Sequence, residues 1–330
     1  MKRKLLSFLV CPECGASVDL GDVRSESGPE ILEATLVCAS GAHSFPVVRG
    51  IPRLLVGFQD KLRVQTQKNF AFSWRKFGEI YSDPRDFLDW LAPKTRDFFA
   101  DKTVLDAGCG AGQHAAYAAA FGAKDVVAFD LSPAVEVAFE HARRFPNVHV
   151  VQADMYRLPF KDDFDFVYCI GVLQHIPDTP KGFARLARLI RKNGWISVWV
   201  YGYEGNAFVR RVIDPIRKVA SRMPLPAVYA LSAVPASVFY LLAKLIYRPL
   251  NAFPETRRLA AALPMNSYLD YMARFNPYYV FNSVFDQLIA PITQYFRREQ
   301  VREWFREADL TDIALTQRNG MSWRATGRRP

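Results

Sequence analysis

The feature that most constrains this chain is the run Val104-Leu105-Asp106-Ala107-Gly108-Cys109-Gly110-Ala111-Gly112. A short apolar strand breaks here into a turn with glycine at every second position. A second apolar strand, Val126 to Phe129, follows and ends on the carboxylate of Asp130. Glycine lets a backbone approach a ligand closely, and a carboxylate on the neighbouring strand tip can accept from both hydroxyls of a ribose. The pattern predicts a parallel sheet that carries a nucleoside across its strand tips.

Two nucleoside ligands fit such a turn, and the residue in front of it separates them. The dinucleotide fingerprint G-x-G-x-x-G sets a pyrophosphate on a helix N-terminus. Here Asp106 precedes Gly108, Gly110 and Gly112. A carboxylate opposes a pyrophosphate and suits an ammonium and a sulfonium. These residues point to S-adenosylmethionine and to methyl transfer, not hydride transfer.

The next segments extend the pattern. A third strand, Val148 to Val151, leads to Asp154 and Met155, an acid to accept from an adenine amino group and a thioether to pack on the ring. A fourth, Asp163 to Ile170, runs into Gly171–Pro177. A helix over Pro180 to Arg191, with Phe183, Leu186, Ala187 and Ile190 on its apolar face, is expected to stop at Lys192-Asn193-Gly194. Trp195 to Tyr201 reads as a fifth strand. Such alternation predicts an α/β fold with a doubly wound parallel sheet and ligands at its carboxyl edge.

In this order, LDAGCGAG, VVAFDLSP, QADMYRLPF and DFVYCIGVLQHIPD resemble the motifs of the class I S-adenosylmethionine-dependent methyltransferases, in the branch that contains ubiquinone and menaquinone methyltransferases. The resemblance covers residues 100–202, with 301–330 as the closing helix and strands. It implies a Rossmann-like fold in which Asp106, Gly108, Gly110 and Gly112 hold the methionine end, with Gln113 at its carboxylate. Asp130 and Leu131 would hold the ribose, Asp154 and Met155 the adenine, and Ile170 the rim near the sulfonium. His175 stands in the loop where the transferable methyl belongs. It reads either as a base, needed when the acceptor is a hydroxyl or a carbon acid, or as a residue that shapes the loop. Asp178, Tyr201 and Tyr203 are secondary candidates. Residues 70–77 read as a helix over the cofactor, with Trp74 or Phe72 against the donor, or as a docking helix.

A second signal lies at the N-terminus. Cys11-Pro12-Glu13-Cys14 is a CxxC knuckle, and Cys38 with His43 forms a second pair after a hairpin-length gap. Three thiolates and an imidazole make a tetrahedral set for structural zinc, which a segment this short needs in place of a large core. The run Phe45 to Leu55 resembles zinc-ribbon modules fused to, or activating, some methyltransferases. Those often close with a second CxxC, so His43 is the departure. The alternative is a set of reduced cytosolic thiols without metal. Met1-Lys2-Arg3-Lys4 followed by Leu5–Val10 imitates a secretion signal, but six apolar residues are too few, and the stretch reads as the ribbon's first element. Five cysteines used this way argue for a reducing cytoplasm and against a disulfide framework.

The organisation expected is a zinc-ribbon-like module over 1–60, a helical cover over 61–100, the cofactor core over 101–202, a helical, aromatic-rich lid inserted over 203–300, and completion of the core over 301–330. Charge is uneven across it. Residues 1–60 hold six Lys or Arg against seven Asp or Glu, residues 101–200 eleven of each, and residues 201–300 twelve against six. A ribbon without excess positive charge argues against nucleic acid as the partner and for a small-molecule acceptor. Within the lid, Ala227–Tyr247 carries Lys244 as its one charge. It reads as a buried lid helix, as an interfacial helix giving peripheral contact with the inner membrane face, or as a span. Aromatic residues from Tyr268 to Phe285 line the rest. An RNA methyltransferase using the ribbon, or a binding protein that keeps the fold without turnover, are the competing functions. The acceptor and the oligomeric state are not encoded in these motifs.

Overall fold

The computed structural model describes residues 1–57, 61–78 and 83–330. The expected boundary at 60 therefore lies outside the described residues. A 3₁₀ turn at Arg3–Phe8 opens the chain, followed by β1 (Val18–Ser27), β2 (Glu30–Cys38), β3 (Ser44–Val48) and β4 (Ile51–Leu54). Two helices, α1 (Lys61–Phe77) and α2 (Pro84–Leu91), precede the alternating half. That half runs β5 (Thr103–Ala107), α3 (Gln113–Ala120), β6 (Asp125–Asp130), α4 (Val135–Ala142), β7 (Val148–Ala153), β8 (Phe164–Ile170), α5 (Thr179–Arg188) and β9 (Ile190–Tyr201). Six helices follow: α6 (Asp214–Ala220), α7 (Leu225–Leu242), α8 (Arg248–Ala252), α9 (Arg257–Ala262), α10 (Asn266–Met272) and α11 (Pro277–Ile289). The chain closes with α12 (Arg298–Glu307), β10 (Thr311–Arg318) and β11 (Ser322–Arg328).

The eleven strands form one sheet in the order β1-β2-β3-β4-β7-β6-β5-β8-β9-β11-β10. Strands β4, β7, β6, β5, β8 and β9 are mutually parallel. From β5 the chain winds one way through β6 to β7 and the other way through β8 to β9, so the order reverses beside β5. That reversal is where an open α/β sheet leaves a crevice at its carboxyl edge. Helices on both faces explain why the middle strands are apolar on both sides: β7 is buried throughout, and β6 and β8 everywhere but their last residue.

The ribbon strands continue the sheet, and one expectation changes beside them. In the ribbon, β4 pairs in parallel with β7, Lys2 Nζ donates to the carbonyls of Phe145 and Val148, and Leu5 and Leu9 are buried in the same core as Phe164 and Phe183. The helix over 180–191 stops early, at Arg188. Ile190 already pairs with Phe164, and Lys192–Gly194 form a bulge in β9 before Trp195 pairs with Phe166. A loop carbonyl next to a strand edge is better satisfied by the sheet than by one more helical turn.

Residues 203–300 are helical, as expected, but α7 is not buried. Its inward stripe is Val228, Ser232 and Ala236, while Leu231, Val234, Val238 and Leu241 are exposed. The buried-lid-helix reading fails on that geometry.

Candidate active site

The glycine turn is held against the tip of β6. Gly108 and Cys109 donate N–H groups to the Phe129 carbonyl at 2.8 and 2.9 Å, and Gly110 donates to Asp130 Oδ2 at 3.0 Å. Asp130 Oδ1 accepts from the Ser132 amide at 2.8 Å. Two elements close over the turn. A Cβ on Gly108, whose φ is +80°, would lie 2.4 Å from Val172 in the loop after β8. One on Gly110 would lie 2.6 Å from the Trp74 indole of α1. No other residue fits under either neighbour. Residues 70–77 thus form the end of a helix over the turn, with Trp74 on Gly110, while Phe72 turns away and packs on Phe285.

Asp106 sits beneath the turn, 2 % exposed, and its Oδ2 has no hydrogen-bond partner. Burial pushes its carboxyl up to about 7, against the Tyr168 hydroxyl beside it, and the charge of Asp130 adds to the rise. Burial raises Asp130 as well, against the amides that bond it. A buried carboxyl with one unmet oxygen, close enough to Asp130 to feel its charge, suits a cationic ligand group. That fits the ammonium and sulfonium of S-adenosylmethionine and not a pyrophosphate.

The other expected cofactor residues lie on adjoining strand tips. Leu131 follows Asp130, its carbonyl accepting from Gln152 Nε2 at 3.0 Å. Asp154 ends the β7 tip, and Met155 beside it is 5 % exposed. Asp154 is paired with Arg63 of α1, whose guanidinium also lies 4.7 Å over the Tyr156 ring. Gln113 opens α3 and donates to Tyr117 Oη at 3.0 Å. Ile170 is the half-buried last residue of β8.

The loop after β8 is stitched to the strap that leaves the lid. His175 Nδ1 donates to the Ile292 carbonyl at 2.7 Å, and Gln294 bonds the carbonyls of Gln174 and Ile176. This fixes the tautomer of His175, with Nε2 left as its acceptor between the rings of Phe70 (5.2 Å) and Tyr201 (5.6 Å). Burial lowers its pKa to about 4, so the ring is neutral and weakly basic. Asp178 is an exposed helix cap on Lys181 N, and the Tyr203 ring stacks under Arg210 and Arg297.

Three residues emerge that the motifs did not reveal. Gln174 is wholly buried with neither amide atom hydrogen-bonded. Asp286 of α11 accepts from Ser73 of α1, and burial raises its carboxyl to about 7. Arg63 holds Asp154. The signal for Asp286 was present in the sequence: it is the one charged residue of Pro277–Ile289, a stretch rich in apolar and aromatic side chains.

At the sheet's first edge the side chains of Cys11, Cys14, Cys38 and His43 converge, with all ligand atoms within 4.8 Å of one another. Cys14 and Cys38 Sγ are 3.3 Å apart, and Cys11 Sγ lies 3.6 Å from His43 Nδ1. Those separations bring the four donors close to the edges, about 3.8 Å between sulfurs, of a zinc tetrahedron with Zn–S near 2.3 Å. Amide and hydroxyl donors lower Cys14 to about 7, the Ala16 N–H foremost, which favours the thiolate a metal needs. The donor set fits a structural zinc ion with no open position.

Sheet order, glycine turn and strand-tip carboxylates make a Rossmann-like α/β core, joined at one edge to the strands that carry the Cys/His cluster. Residues 105–198 match the methyltransferase domain family, and residues 2–50 match the Trm112p-like protein family. Among curated relatives, a ubiquinone biosynthesis O-methyltransferase from Thiobacillus denitrificans is 38 % identical over 113 residues, covering 33 % of this chain and 47 % of its own. A tRNA U34 carboxymethyltransferase from a Shewanella strain is 26 % identical over 227 residues, covering 64 % and 68 %. The chain spans less than half the length of the first curated relatives it matches. Among solved structures, a 1,6-didemethyltoxoflavin-N1-methyltransferase from Burkholderia thailandensis superposes with a TM-score of 0.48 at 14 % identity, covering 94 % of this chain and 99 % of that one.

Proposed function

We propose that this protein is an S-adenosylmethionine-dependent methyltransferase acting on a small, lipophilic acceptor beneath the helices of 203–300. The observation that carries the reading is the buried carboxylate of Asp106, its Oδ2 without a hydrogen-bond partner, under a glycine turn closed by Trp74 and Val172. S-adenosylmethionine supplies an electrophilic methyl group on a sulfonium. Asp106 with Gly108, Gly110 and Gly112 would receive the methionine end, with Gln113 at its carboxylate. Asp130 and Leu131 would take the ribose hydroxyls, Asp154 and Met155 the adenine, and Ile170 the rim. Arg63 would share Asp154 with the adenine amino group, since a carboxylate has lone pairs for both.

On the acceptor side, positioning accounts for most of the rate in a displacement of this kind. The unmet amide of Gln174 would bind a polar atom of the acceptor. His175, neutral and oriented by Ile292, would accept a proton only weakly. Asp286, with a pKa near 7, is the better matched base. The rings of Phe70 and Tyr201 that flank His175 would suit an apolar acceptor. Such a compound partitions into membranes, and peripheral membrane contact through 203–300 belongs to the same reading.

A second reading has its own support: the Shewanella relative acts on tRNA and aligns over 227 residues, and the ribbon is Trm112p-like. The argument against nucleic acid from ribbon charge loses force beside that match, although Ile170-Gly171-Val172 still stands where amino-group methylases carry Asn-Pro-Pro-Tyr. Calorimetry with S-adenosylhomocysteine, with Asp130→Ala as control, tests the cofactor. Methyl transfer from labelled S-adenosylmethionine to lipophilic phenols and quinones tests the first acceptor class. Loss of a methylated nucleoside from tRNA or rRNA of a deletion strain would move the assignment to the second. Cofactor binding without transfer to any acceptor would leave a binding protein.

A further inference from the structure

The helix running from α7 into α8, Leu225–Ala252, is the one helix among the described residues that is long and apolar enough to cross a membrane, and only 17 % of its most apolar window is buried. A water-facing helix of a soluble fold places polar side chains outward. This one does the reverse: Leu231 is 60 % exposed, Val234 70 % and Leu245 69 %. Beside it α6 exposes Ile216 and Val219, at 51 % and 65 %. Between α6 and α7 runs a groove of about 520 Å³ lined by apolar residues from both, among them Ile216, Val219, Leu231 and Pro235. Contiguous exposed apolar surface of this kind marks a binding face.

The charges around the face narrow the occupant. No charged residue falls between Arg222 and Lys244, whereas Arg211, Lys218 and Arg222 are exposed on one side of the apolar stretch and Arg248, Arg257 and Arg258 on the other. Glu204, Asp214 and Glu255 are the only acids from 203 to 262. An apolar strip between cationic ends is the pattern of a helix lying in the headgroup boundary of an anionic bilayer. A second copy fits poorly, because two-fold pairing of α7 sets cationic ends against cationic ends. A span is opposed by the inward stripe: Tyr247 Oη donates to the Pro264 carbonyl, and Tyr229 packs on Phe281 and Phe285 of α11.

We propose that the outer face of α6 and α7 seats on an anionic phospholipid bilayer with the α7 axis in the membrane plane, the groove between the helices taking an acyl chain. The proposal deepens the lipophilic-acceptor reading but does not depend on the cofactor residues, so cofactor binding is measured in the same samples to tell the two failures apart. The full chain is floated with vesicles of phosphatidylcholine containing about 30 % phosphatidylglycerol, and with phosphatidylcholine alone, at about 0.1 M salt. Most of the protein should float with the anionic vesicles and little with the neutral ones. The triple variant Leu231→Glu/Val234→Glu/Leu245→Glu should lose at least tenfold in bound fraction with homocysteine-cofactor affinity unchanged. Should that variant misfold, Arg211→Gln/Lys218→Gln/Arg248→Gln should lose binding in the same direction. Absence of flotation on anionic vesicles, or flotation indifferent to both variants, overturns the proposal. A dimer in ultracentrifugation that the triple variant dissociates, without vesicle binding, assigns the face to a second copy and overturns it too. Intact S-adenosylhomocysteine binding in either case leaves the methyltransferase reading untouched.

Discussion

Phe166 and Val234 are both apolar residues on regular elements, yet the first is wholly buried among Phe98, Phe99 and Tyr168 and the second is 70 % exposed. They stand for two regions with different rules. In the sheet, ribbon included, apolar side chains point to the interior, and few polar groups are left inside, Asp106 with its unpartnered Oδ2 among them. In the lid, a stripe of one helix packs inward on α11 and the rest of its apolar surface faces out. A sheet residue thus reports on folding and cofactor, whereas a lid residue reports on whatever the lid meets.

The largest effect should come from the sheet's metal-clipped edge. Cys38→Ser removes a ligand from a closed tetrahedron, and bound zinc, measured by elemental analysis, should fall from about one per chain to near zero. Because β4 extends the sheet through β7, the loss should reach the core and lower the melting temperature by roughly 15 °C. Metal loss without a shift in melting would make the ribbon an independent module. Next in size, Phe166→Ala should cost about 4 kcal/mol, or roughly 10 °C, by opening a cavity among three aromatic rings.

Asp106→Asn tests the cation-seeking site. It should weaken S-adenosylhomocysteine by about 2 kcal/mol, near 30-fold. Because the ligand-free carboxyl titrates near 7, native affinity should fall as the pH drops from about 8 to 5, and the variant should show a flat profile. Asp286 sets a smaller, lid-side test. Its folded pKa of about 7 lies above the unfolded value near 3.9, so the fold favours the protonated form. The stability it contributes is whole below about pH 4 and is lost as the pH rises through 7. Asp286→Asn should therefore melt about 2–4 °C above the native protein at pH 8 and match it at pH 4. Equal melting at both would place Asp286 in water, outside any acceptor site.

The same contrast explains what could be read in advance. A glycine that must lie under Val172 or Trp74 leaves a mark at a single position, and strands buried on both faces leave continuous apolar runs, so β5 to β9 and the glycine turn at their tips were legible. So were the zinc ligands, since spacing alone limits a CxxC. The lid was not, because a run without charge has the same composition whether a core or a bilayer covers it. Nor could local pattern reveal that Arg63 would meet Asp154, 91 residues away, or that His175 would be held by a carbonyl on a distant strap. Asp178 looked reactive by its place after the strand and proved to be a helix cap, a role that local sequence also specifies.

The smallest effect expected is the most discriminating. Val234→Gln replaces an exposed apolar side chain near the middle of α7 with a helix-compatible polar one. If water faces that residue in the isolated protein, stability should change by less than about 0.5 kcal/mol, a melting shift of about 2 °C or less. The same substitution at Val167, wholly buried in β8, should prevent folding at ordinary temperature, because it leaves a polar amide unpaired between two layers of helices. A loss of more than about 1.5 kcal/mol at Val234 would mean that the outer face is already covered in solution. Lid and sheet would then follow one rule after all, and the exposed stripe would be the interior of an assembly.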